Sequence, residues 1–252
     1  MSQEPYISIV IPAYNEERRI GKSLESIFTF LESEGVPFEV VVVDDGSRDN
    51  TIGMVKAFLK GAPQGKLIQN EENRGKGFTV RRGMLAASGR HVIFSDADLS
   101  TPIQEARKFL PLLEKQYDIV IGSRQAAGSN VVVRQQKYRE LMGKTFNLFV
   151  RALVVDQIAD TQCGFKGFRQ TVARDVFQRQ RLFGFSFDVE ILYIAHRLGY
   201  AIREEPIEWH NSFESKVNVF TDSTQMLLDL FKIRWLHRNL KELPASGGPL
   251  HL

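Results

Sequence analysis

The sequence predicts an α/β fold with a doubly wound, mostly parallel central sheet and helices on both of its faces. Two observations support this prediction. Short apolar runs rich in β-branched residues, such as VVVV at 40–43, are bounded by turn residues, as expected for strands covered on both faces. Between these runs lie segments whose apolar residues recur at helical spacing. This βαβα alternation predicts parallel strands joined by crossover helices through about residue 123.

Local signals mark each element of this first part of the chain. Apolar periodicity identifies the first helix, a potential N-cap at Asp49 or Asn50 marks the second, and Pro102 stands in the first turn of the fourth. Apolar β-rich runs mark the strands. The predicted strands are 6–13, 38–43, 66–69, 91–95 and 118–121, and the predicted helices are 16–34, 51–59, 75 to about 87, and 103–115.

After about residue 123 the alternation stops, and the predicted elements become more varied. A final amphipathic helix is predicted near the end of the chain. The predicted elements of this part are a long helix over about 136–155, irregular or β segments near 164–168 and 201–209, a helix over 187–198, and the final helix over about 222–238. Because no Pro/Gly/Ser-rich linker divides the chain, we expect one domain over 1–215 and a C-terminal helical extension over 216–252.

Composition narrows the class of protein. An apolar share of 43% suits a globular chain, and the single cysteine, Cys163, excludes an internal disulfide framework and fits a reducing cytosol. The start of the chain lacks the basic region of a signal peptide. No run approaches the roughly 18 apolar residues that a membrane span needs. We therefore expect a cytoplasmic protein.

The charge is small overall but unevenly distributed. A net charge of +3 argues against a general nucleic-acid binder. Six basic residues and one acid fall between 124 and 151, and the final helix is also basic. Both stretches are rich in aromatic residues and leucine, which suits a peripheral contact with anionic lipid headgroups at the cytoplasmic face of a membrane. Two solvated helix faces, or packing of the final helix on the domain or in a homodimer, are the alternatives.

Two acidic pairs follow predicted strands. Asp44 and Asp45 follow VVVV, and Asp96 and Asp98 follow VIFS. Carboxylates crowded at neighbouring strand ends repel one another unless a cation or a ligand compensates them, and the ligand crevice of an open α/β sheet lies at those ends. In Asp96-Ala97-Asp98 the two carboxylates point the same way, which suits Mg²⁺ or Mn²⁺ on a diphosphate. The pairs therefore predict a site for a nucleotide and a metal-chelated phosphate.

Two further motifs also lie at strand ends. The segment PAYNE at 12–16 ends the first strand, and NRGKG at 73–77 places Lys76 at a helix N-terminus, where anions bind. Each motif alone is an ordinary turn, but four in order at successive strand ends indicate a shared site. A Walker A loop is excluded because neither GKS at 21–23 nor GKT at 143–145 has the required glycine five residues earlier, and no G-x-G-x-x-G follows the first strand.

Taken with later motifs, these residues carry a resemblance to a known family. Over roughly residues 6–215 the chain resembles the inverting family 2 glycosyltransferases of the GT-A fold, and more narrowly their polyprenyl-phosphate (dolichyl-phosphate) glucosyltransferase and mannosyltransferase branch. The later motifs favour UDP-glucose over GDP-mannose as donor. The motifs are IPAYNE, VVVDDGSRDNT, NRGKGFTVRRGM, FSDADLSTP, IVIGSR, DTQCGFKGF, FSFDVEILYIA and WHNSFESKVN.

The resemblance implies roles for individual residues. Asp96 and Asp98 should hold Mg²⁺ or Mn²⁺ on the diphosphate, and Asp188 and Glu190 are either further site residues or part of a helix cap or solvated face. The residues implied in catalysis are Asp160, Arg124 and Lys166. The residues implied in acceptor phosphate binding are Arg124, Arg134 and Arg139. The residues implied in nucleotide-sugar binding are Pro12, Tyr14, Glu16, Asp44, Asp45, Lys76, Asp96 and Gln162.

The expected reaction moves a hexose from a nucleotide-sugar donor to a polyprenyl-phosphate lipid acceptor, with inversion at the anomeric carbon. Because the acceptor phosphate is already anionic, a strong general base is less necessary than cations that hold two anions close together. Three alternatives stay open: GDP-mannose as donor, a soluble acceptor, and a non-catalytic sugar-nucleotide binder or a nucleotidyltransferase. A nucleotidyltransferase would be expected to carry a Gly-rich signature near its N-terminus, which IPAYNEERR lacks. A non-catalytic binder would be expected to lose the Asp96/Asp98 pair or Arg124, and the chain keeps all three residues.

Overall fold

The computed structural model describes residues 4–132, 150, 158–210 and 219–240, and it gives no side-chain detail for 219–224. The strands are β1 (Ile7–Ala13), β2 (Phe38–Asp44), β3 (Gly65–Gln69), β4 (His91–Ser95), β5 (Ile119–Ser123), β6 (Asn130–Val131), β7 (Phe165–Arg169), β8 (Ile202–Pro206) and β9 (Glu208–Trp209). The helices are α1 (Ile20–Glu34), α2 (Thr51–Leu59), α3 (Lys76–Ala86), α4 (Ala106–Lys115), α5 (Gln170–Arg179), α6 (Phe187–Arg197) and α7 (Val219–Leu236), and a 3₁₀ turn (Ile103–Glu105) precedes α4.

Seven of these strands form one central sheet in the order β3-β2-β1-β4-β7-β5-β8, and β6 pairs with β9 separately. Strands β1, β2, β3 and β4 are parallel, β5 is parallel to β8, and β7 runs antiparallel between β4 and β5. The mostly parallel sheet is therefore confirmed. The chain moves outward from β1 through β2 to β3 and then returns to β4 on the other side of β1. This topological switch point opens a crevice at the carboxyl ends of β1 and β4.

Apolar side chains cover both faces of the sheet, as the continuous valine run predicts. Val41 belongs to the cluster beneath α3, α5, α6 and α7, whereas its neighbour Val40 belongs to the cluster beneath α1, α2 and α4. Successive strand residues point to opposite faces of the sheet, and because helices cover both faces, both valines are buried. No helix among the described residues is long and apolar enough to cross a bilayer.

The elements predicted before residue 123 are all present, with bounds that shift by at most four residues. The largest shift is at α1, which begins at Ile20 because residues 14–19 form bends and a turn after β1, with Asn15 in the left-handed region at φ 52°. Later in the chain, β7 follows the predicted segment closely, but helix α5 had no counterpart in the prediction. It begins directly after β7 without a glycine or proline to mark the change. The predicted helix over 136–155 lies outside the described residues, apart from Val150.

A buried histidine at the start of β4 makes the stability of the fold depend on pH. His91 is almost inaccessible, and neither ring nitrogen has a hydrogen-bond partner among the described residues. Burial, assisted by Arg90, lowers the pKa of His91 from 6.5 to about 4. Below pH 6.5 the unfolded chain binds a proton that the folded protein does not. The stability linked to the neutral form of His91 is therefore fully present above pH 6.5, and it is lost as the pH falls toward 4.

Because of His91, we expect the free energy of unfolding to be about 2 kcal/mol lower at pH 4.5 than at pH 7. Urea denaturation at both pH values would measure this loss in the wild type and in His91→Leu, which should lose less. His196→Leu is the matched control, because His196 is exposed and should leave the pH dependence unchanged. An identical pH dependence in His91→Leu and in the wild type would contradict the assignment.

Candidate active site

A cavity of about 310 Å³ lies at the carboxyl ends of β1, β2 and β4, at the switch point of the sheet. This volume falls within the range of small-molecule binding sites. All four motifs predicted from the sequence contribute to its wall. The lining residues are Pro12, Ala13, Tyr14, Glu16, Arg19, Asp45, Asn73, Gly75, Lys76, Thr79, Asp96, Ala97, Asp98, Gly184 and Phe185. The fold therefore brings together segments that lie up to about 170 residues apart in sequence.

Hydrogen bonds fasten the motif after β1 to the motif after β2. The backbone N–H of Asn15 donates to Ser47 Oγ at 2.9 Å, and that of Glu16 donates to Thr51 Oγ1 at 2.7 Å. The Glu16 carboxylate accepts two hydrogen bonds from the Arg19 guanidinium, at 2.6 and 3.0 Å. These contacts explain why residues before Ile20 serve the cavity wall instead of continuing α1. The spacing of Glu16 and Arg19 is a signal by which Arg19 could have been found in the sequence.

Asp45 holds the loop before α3 in place. Its Oδ1 accepts hydrogen bonds from Asn70 Nδ2 at 2.7 Å and from the backbone of Arg74 at 2.9 Å, and its Oδ2 accepts one from the backbone of Gly75 at 3.0 Å. Gly75 has φ 93°, in the left-handed region that favours glycine. Asp45 therefore acts through the loop that carries Lys76, as well as facing the cavity itself.

Asp44 lies behind the cavity and is not part of its wall. Its side chain is fully buried, and its Oδ2 accepts a hydrogen bond from the backbone of Ser47 at 3.0 Å. Its Oδ1 has no partner among the described residues. The two adjacent acids thus occupy different environments, because successive residues at a strand end point in opposite directions.

Lys76 and Arg19 compensate the second acidic pair. Lys76 Nζ lies 2.6 Å from Asp96 Oδ1, and Arg19 Nη1 lies 3.9 Å from Asp98 Oδ2. Burial opposes the charge on Lys76, but Asp96 and Asp188 raise its pKa above the ordinary value, so the ammonium group stays protonated. Asp98 Oδ1 also accepts a hydrogen bond from the backbone of Ser100 at 3.0 Å. The cavity therefore presents two acidic side chains and two basic side chains side by side.

The chemistry of these donors fits a hard divalent cation. Mg²⁺ and Mn²⁺ prefer oxygen ligands, and Mg²⁺ is usually held by one or two carboxylates together with substrate phosphates. Within the described part of the chain, no group of three or more histidine, cysteine or acidic residues could hold a metal ion. Asp96 and Asp98 therefore suit a metal that arrives with a diphosphate, whose oxygens would complete its coordination.

The predicted DTQCGFKGF segment lies against the cavity residue Asp96 at Gly164. Strand β7 pairs with β4 so that Phe165 faces Ser95, which places Gly164 beside Asp96. A Cβ atom on Gly164 would lie 2.0 Å from Asp96 Oδ2. Only glycine allows the backbone of this segment to approach the carboxylate so closely.

Arg124 and Asp160 form a partly buried ion pair outside the cavity wall. Arg124 Nε and Nη2 each donate to the Asp160 carboxylate at 2.7 Å, and the backbone N–H of Arg124 donates to it at 2.9 Å. Asp160 is fully buried, and burial opposes its ionisation, but the guanidinium holds its pKa below the usual range. The Arg124 side chain stays 27% exposed, and its Cζ lies 5.5 Å from the centre of the Trp209 ring. Arg124 is therefore accessible, whereas Asp160 fixes its orientation.

Lys166 lies beneath the cavity, where it is fully buried. Its ammonium group donates to the Asp188 carboxylate and to the carbonyl oxygen of Cys163. Burial raises the pKa of Asp188, although Lys166 and Lys76 oppose this effect. The structure therefore separates Lys166 from solvent and gives it Asp188 as a partner. Glu190 lies on α6, as Asp188 does, and accepts hydrogen bonds from the backbone of Arg181 and Leu182, at 2.9 and 2.7 Å.

The remaining predicted residues lie elsewhere. Gln162 is half-buried, with Nε2 3.9 Å from the sulfur of Met226 on α7. Arg134 and Arg139 lie outside the described residues. Gly184 lines the cavity without having been predicted, and Phe185, the first residue of the FSFDVEILYIA motif, lies beside it in the cavity wall. No local pattern links these two residues to the strand ends. Only the packing of α6 brings them there.

Comparison with known proteins agrees with this arrangement. Residues 8–177 match the sequence profile of the family described as Glycosyl transferase family 2. The chain belongs to this family. This family 2 member is 37% identical over 240 residues to a dolichyl-phosphate beta-glucosyltransferase of Drosophila melanogaster, covering 90% of this chain and 74% of the relative. The corresponding protein of Dictyostelium discoideum is 34% identical over 242 residues, with 91% and 74% covered.

A solved structure supports the same fold for this family 2 member. Glucosyl-3-phosphoglycerate synthase from Mycobacterium tuberculosis, in a complex with Mn²⁺, UDP and glucosyl-3-phosphoglycerate, superposes with a TM-score of 0.62. The match covers 96% of this chain and 82% of that one at 21% identity. The GT-A-like α/β architecture predicted from the sequence is thereby confirmed, and the chain is a glycosyltransferase of family 2.

The close approach of Gly164 to the Asp96 carboxylate leads to a testable prediction for this family 2 site. In Gly164→Ala, the added methyl group should displace the Asp96 carboxylate and weaken manganese-dependent binding of UDP by about tenfold or more. Isothermal titration calorimetry would measure this change. Gly61→Ala is the matched control, because a Cβ at Gly61 meets nothing within 4 Å. Unchanged UDP affinity in Gly164→Ala would show that the carboxylate tolerates displacement.

Proposed function

We propose that this chain transfers glucose from UDP-glucose to dolichyl phosphate or a related polyprenyl phosphate, with inversion at the anomeric carbon. The observation that carries the proposal is the meeting of four strand-end motifs in one cavity beside the Arg124–Asp160 pair. The donor and acceptor are supported by relatives at 32–37% identity that are dolichyl-phosphate beta-glucosyltransferases. An α-linked donor and a β-linked product require inversion.

The donor would lie along the cavity with its base toward the motifs after β1 and β2. Pro12, Tyr14, Glu16 and Asp45 would contact the base and ribose, since all four line this side of the cavity. Asp44 would support them from behind. Lys76 would meet the phosphates, because its protonated ammonium group lies at the N-terminus of α3.

Asp96 and Asp98 would hold Mg²⁺ or Mn²⁺ together with the donor diphosphate. When bound, such an ion neutralises the charge that grows on the leaving diphosphate. Lys76 and Arg19 lie against these carboxylates. Once an ion is bound there, it would compensate the two acids, so Lys76 and Arg19 could shift toward phosphate oxygens. The crystallisation of the Mycobacterium tuberculosis enzyme with Mn²⁺ and UDP is consistent with this assignment.

Arg124 would bind the acceptor phosphate and place one of its oxygens behind the anomeric carbon. Asp160 accepts hydrogen bonds from Nε and Nη2 of Arg124. Among the contacts of the described residues, Nη1 is therefore the guanidinium nitrogen that would meet a second anion. Arg134 and Arg139 would add charge to the same phosphate. In the reaction, the new bond joins the acceptor oxygen to the anomeric carbon, and the bond between that carbon and the UDP oxygen breaks. No proton needs to leave an ionised phosphate, so no protein base is required.

Lys166 and Gln162 would act near the transferred sugar in different ways. Because Lys166 is buried and paired with Asp188, it would act by holding the turn at Cys163 and Gly164 against Asp96. Gln162 is partly accessible and would contact the sugar directly. The protein would work peripherally at the cytoplasmic face of a membrane, where a soluble donor meets a lipid acceptor.

A transfer assay with a panel of substrates tests this function. Labelled UDP-glucose, UDP-galactose, GDP-glucose and GDP-mannose would be incubated with dolichyl phosphate, undecaprenyl phosphate or 3-phosphoglycerate, with Mn²⁺, Mg²⁺ or EDTA. We expect label from UDP-glucose in the organic-extractable lipid fraction, and only with a divalent metal. Transfer to 3-phosphoglycerate alone, or from GDP-mannose alone, would replace the proposed acceptor or donor. Absence of transfer in every arm would refute the proposed function.

A further inference from the structure

Helix α7 is fastened to the catalytic body along one face, called here the inner face. Its buried side chains are Met226, Leu230, Ile233 and His237, the last just beyond the helix end. Their spacing of four, three and four residues places them on one side of a helix. His237 Nε2 lies 2.7 Å from Glu190 Oε1, and both groups are buried. The orientation of α7 about its own axis is therefore determined by contacts that leave the opposite side outward.

The opposite side of α7, called here the outer face, is apolar and exposed. It consists of Leu228, Phe231 and Trp235, whose exposed fractions are 61%, 61% and 63%. In the described part of the chain five large hydrophobic side chains are exposed, and the three most exposed of them form this single stripe. Their spacing of three and four residues aligns them along the helix. Burying such side chains elsewhere is favourable, so a stripe of this kind marks an interaction surface.

Exposed cations flank the outer face. Lys232 and Arg238 lie on either side of the apolar stripe on a helical projection, and both are exposed. The Arg238 guanidinium lies 4.8 Å from the centre of the Trp235 ring and donates to the Trp235 carbonyl oxygen at 2.8 Å. The one acidic residue between 225 and 240, Asp229, accepts a hydrogen bond from Ser186 Oγ at 2.6 Å. The outer face therefore combines three exposed apolar side chains with two exposed cations.

We propose that the outer face of α7 inserts into the headgroup region of an anionic lipid bilayer. The apolar side chains would enter the acyl boundary, and Lys232 and Arg238 would meet the lipid phosphates. A second copy of this chain fits the surface less well, because two-fold pairing of the stripe would bring like charges together. Three side chains also supply little of the roughly 1,200 Å² that a stable protein interface buries.

The inner face connects this membrane contact to the active site, and this part of the inference rests on the proposed function. Met226 contacts Gln162 of the segment expected beside the sugar, and Asp229 contacts Ser186, which follows the cavity residue Phe185. A bilayer beneath the outer face would therefore lie next to the site where a polyprenyl phosphate must enter. The helix would hold the cavity at the membrane surface while the isoprenoid chain stays in the lipid.

Tryptophan fluorescence of the full chain with vesicles tests the proposal. The chain has two tryptophans, Trp209 and Trp235. Vesicles of phosphatidylcholine mixed with phosphatidylglycerol should shift the emission to the blue, and brominated lipids should quench it. Trp235→Phe should lose both effects, because Trp209 lies by Arg124. Phosphatidylcholine alone should bind more weakly, and added salt should weaken binding to the anionic vesicles.

Substitutions on the outer face should lower the vesicle partition coefficient without unfolding the helix, because glutamine is a good helix former. We expect a loss of about 10- to 100-fold in L228Q/F231Q, from the apolar area removed. We expect a loss of about fivefold for each of Lys232→Gln and Arg238→Gln. The matched control K60Q/K115Q removes two exposed cations, one just after α2 and one at the end of α4, and should bind vesicles as the wild type does.

The outcomes separate this proposal from the proposed function. Absence of vesicle binding, with transfer to detergent-dispersed dolichyl phosphate intact, would overturn the membrane contact alone. Vesicle binding that L228Q/F231Q abolishes, without sugar transfer in any assay, would support the contact and refute the function. Sedimentation velocity completes the test. A wild-type dimer that L228Q/F231Q converts to a monomer would make the outer face a subunit interface and overturn the proposal.

Discussion

Asp98→Asn should lower metal-dependent sugar transfer by about a thousandfold while leaving the fold intact. The asparagine oxygen can still accept the hydrogen bond from the backbone of Ser100, so the local turn has no reason to change. What the variant loses is the negative charge that faces Arg19 and, in the proposed reaction, the metal on the donor diphosphate. The effect should therefore fall on catalysis and on metal affinity.

Steady-state kinetics over a range of Mn²⁺ concentrations would measure this effect, with thermal unfolding as a check on stability. Asp175→Asn is the matched control, because Asp175 pairs with Arg179 on α5, away from the cavity. That variant should transfer glucose at nearly the wild-type rate. If Asp98→Asn retained metal-dependent turnover, Asp98 would not be a ligand and the predicted metal site would be wrong.

Arg124→Ala should both unfold more easily and lose activity. Arg124 donates three hydrogen bonds to the fully buried Asp160 carboxylate, two from its guanidinium and one from its backbone N–H. Removing the guanidinium leaves only the backbone hydrogen bond. Leaving one member of a buried ion pair unpaired typically costs about 3–5 kcal/mol. In the wild type, Arg124 holds the pKa of Asp160 below 3.8. The stabilisation from this pair is therefore present above about pH 4 and lost as the pH falls through the lowered folded pKa.

Two further variants separate stability from phosphate binding. Arg124→Lys keeps the positive charge but loses the two-pronged contact, so it should recover much of the stability while the KM for polyprenyl phosphate stays raised. Arg179→Ala removes an exposed ion pair of the same type and should cost less than about 1 kcal/mol in urea denaturation. Wild-type stability in Arg124→Ala would contradict the structural role, and a wild-type acceptor KM in Arg124→Lys would contradict the phosphate role.

The proposed donor side of the site could be predicted from sequence because its residues follow strands whose local signals are strong. Asp45 and Asp96 each come directly after a buried strand, and parallel strands end at the same edge of a sheet. Once the parallel sheet was inferred, their convergence followed from topology. The same reasoning could not distinguish Asp44 from Asp45, because the direction of each side chain depends on where the strand ends.

The acceptor side could not be predicted to the same degree. Lys166 and Asp188 both lie in motifs of the family resemblance, yet the structure pairs them with each other in a fully buried position. That pairing depends on β7, which enters the sheet antiparallel between β4 and β5. No local pattern announces this insertion, since the order of strands in a sheet is decided by packing of distant segments.

The sequence by itself determined the α/β class, the boundaries of most elements in the first half, and the four motifs of the donor site, because these depend on short-range periodicity and turn chemistry. Only the tertiary structure decided which charges face each other. It set Gly164 against Asp96, Asp160 against Arg124, and His237 against Glu190. Such contacts join residues that are far apart in the chain, and their geometry is fixed by the packing of helices and strands around one core.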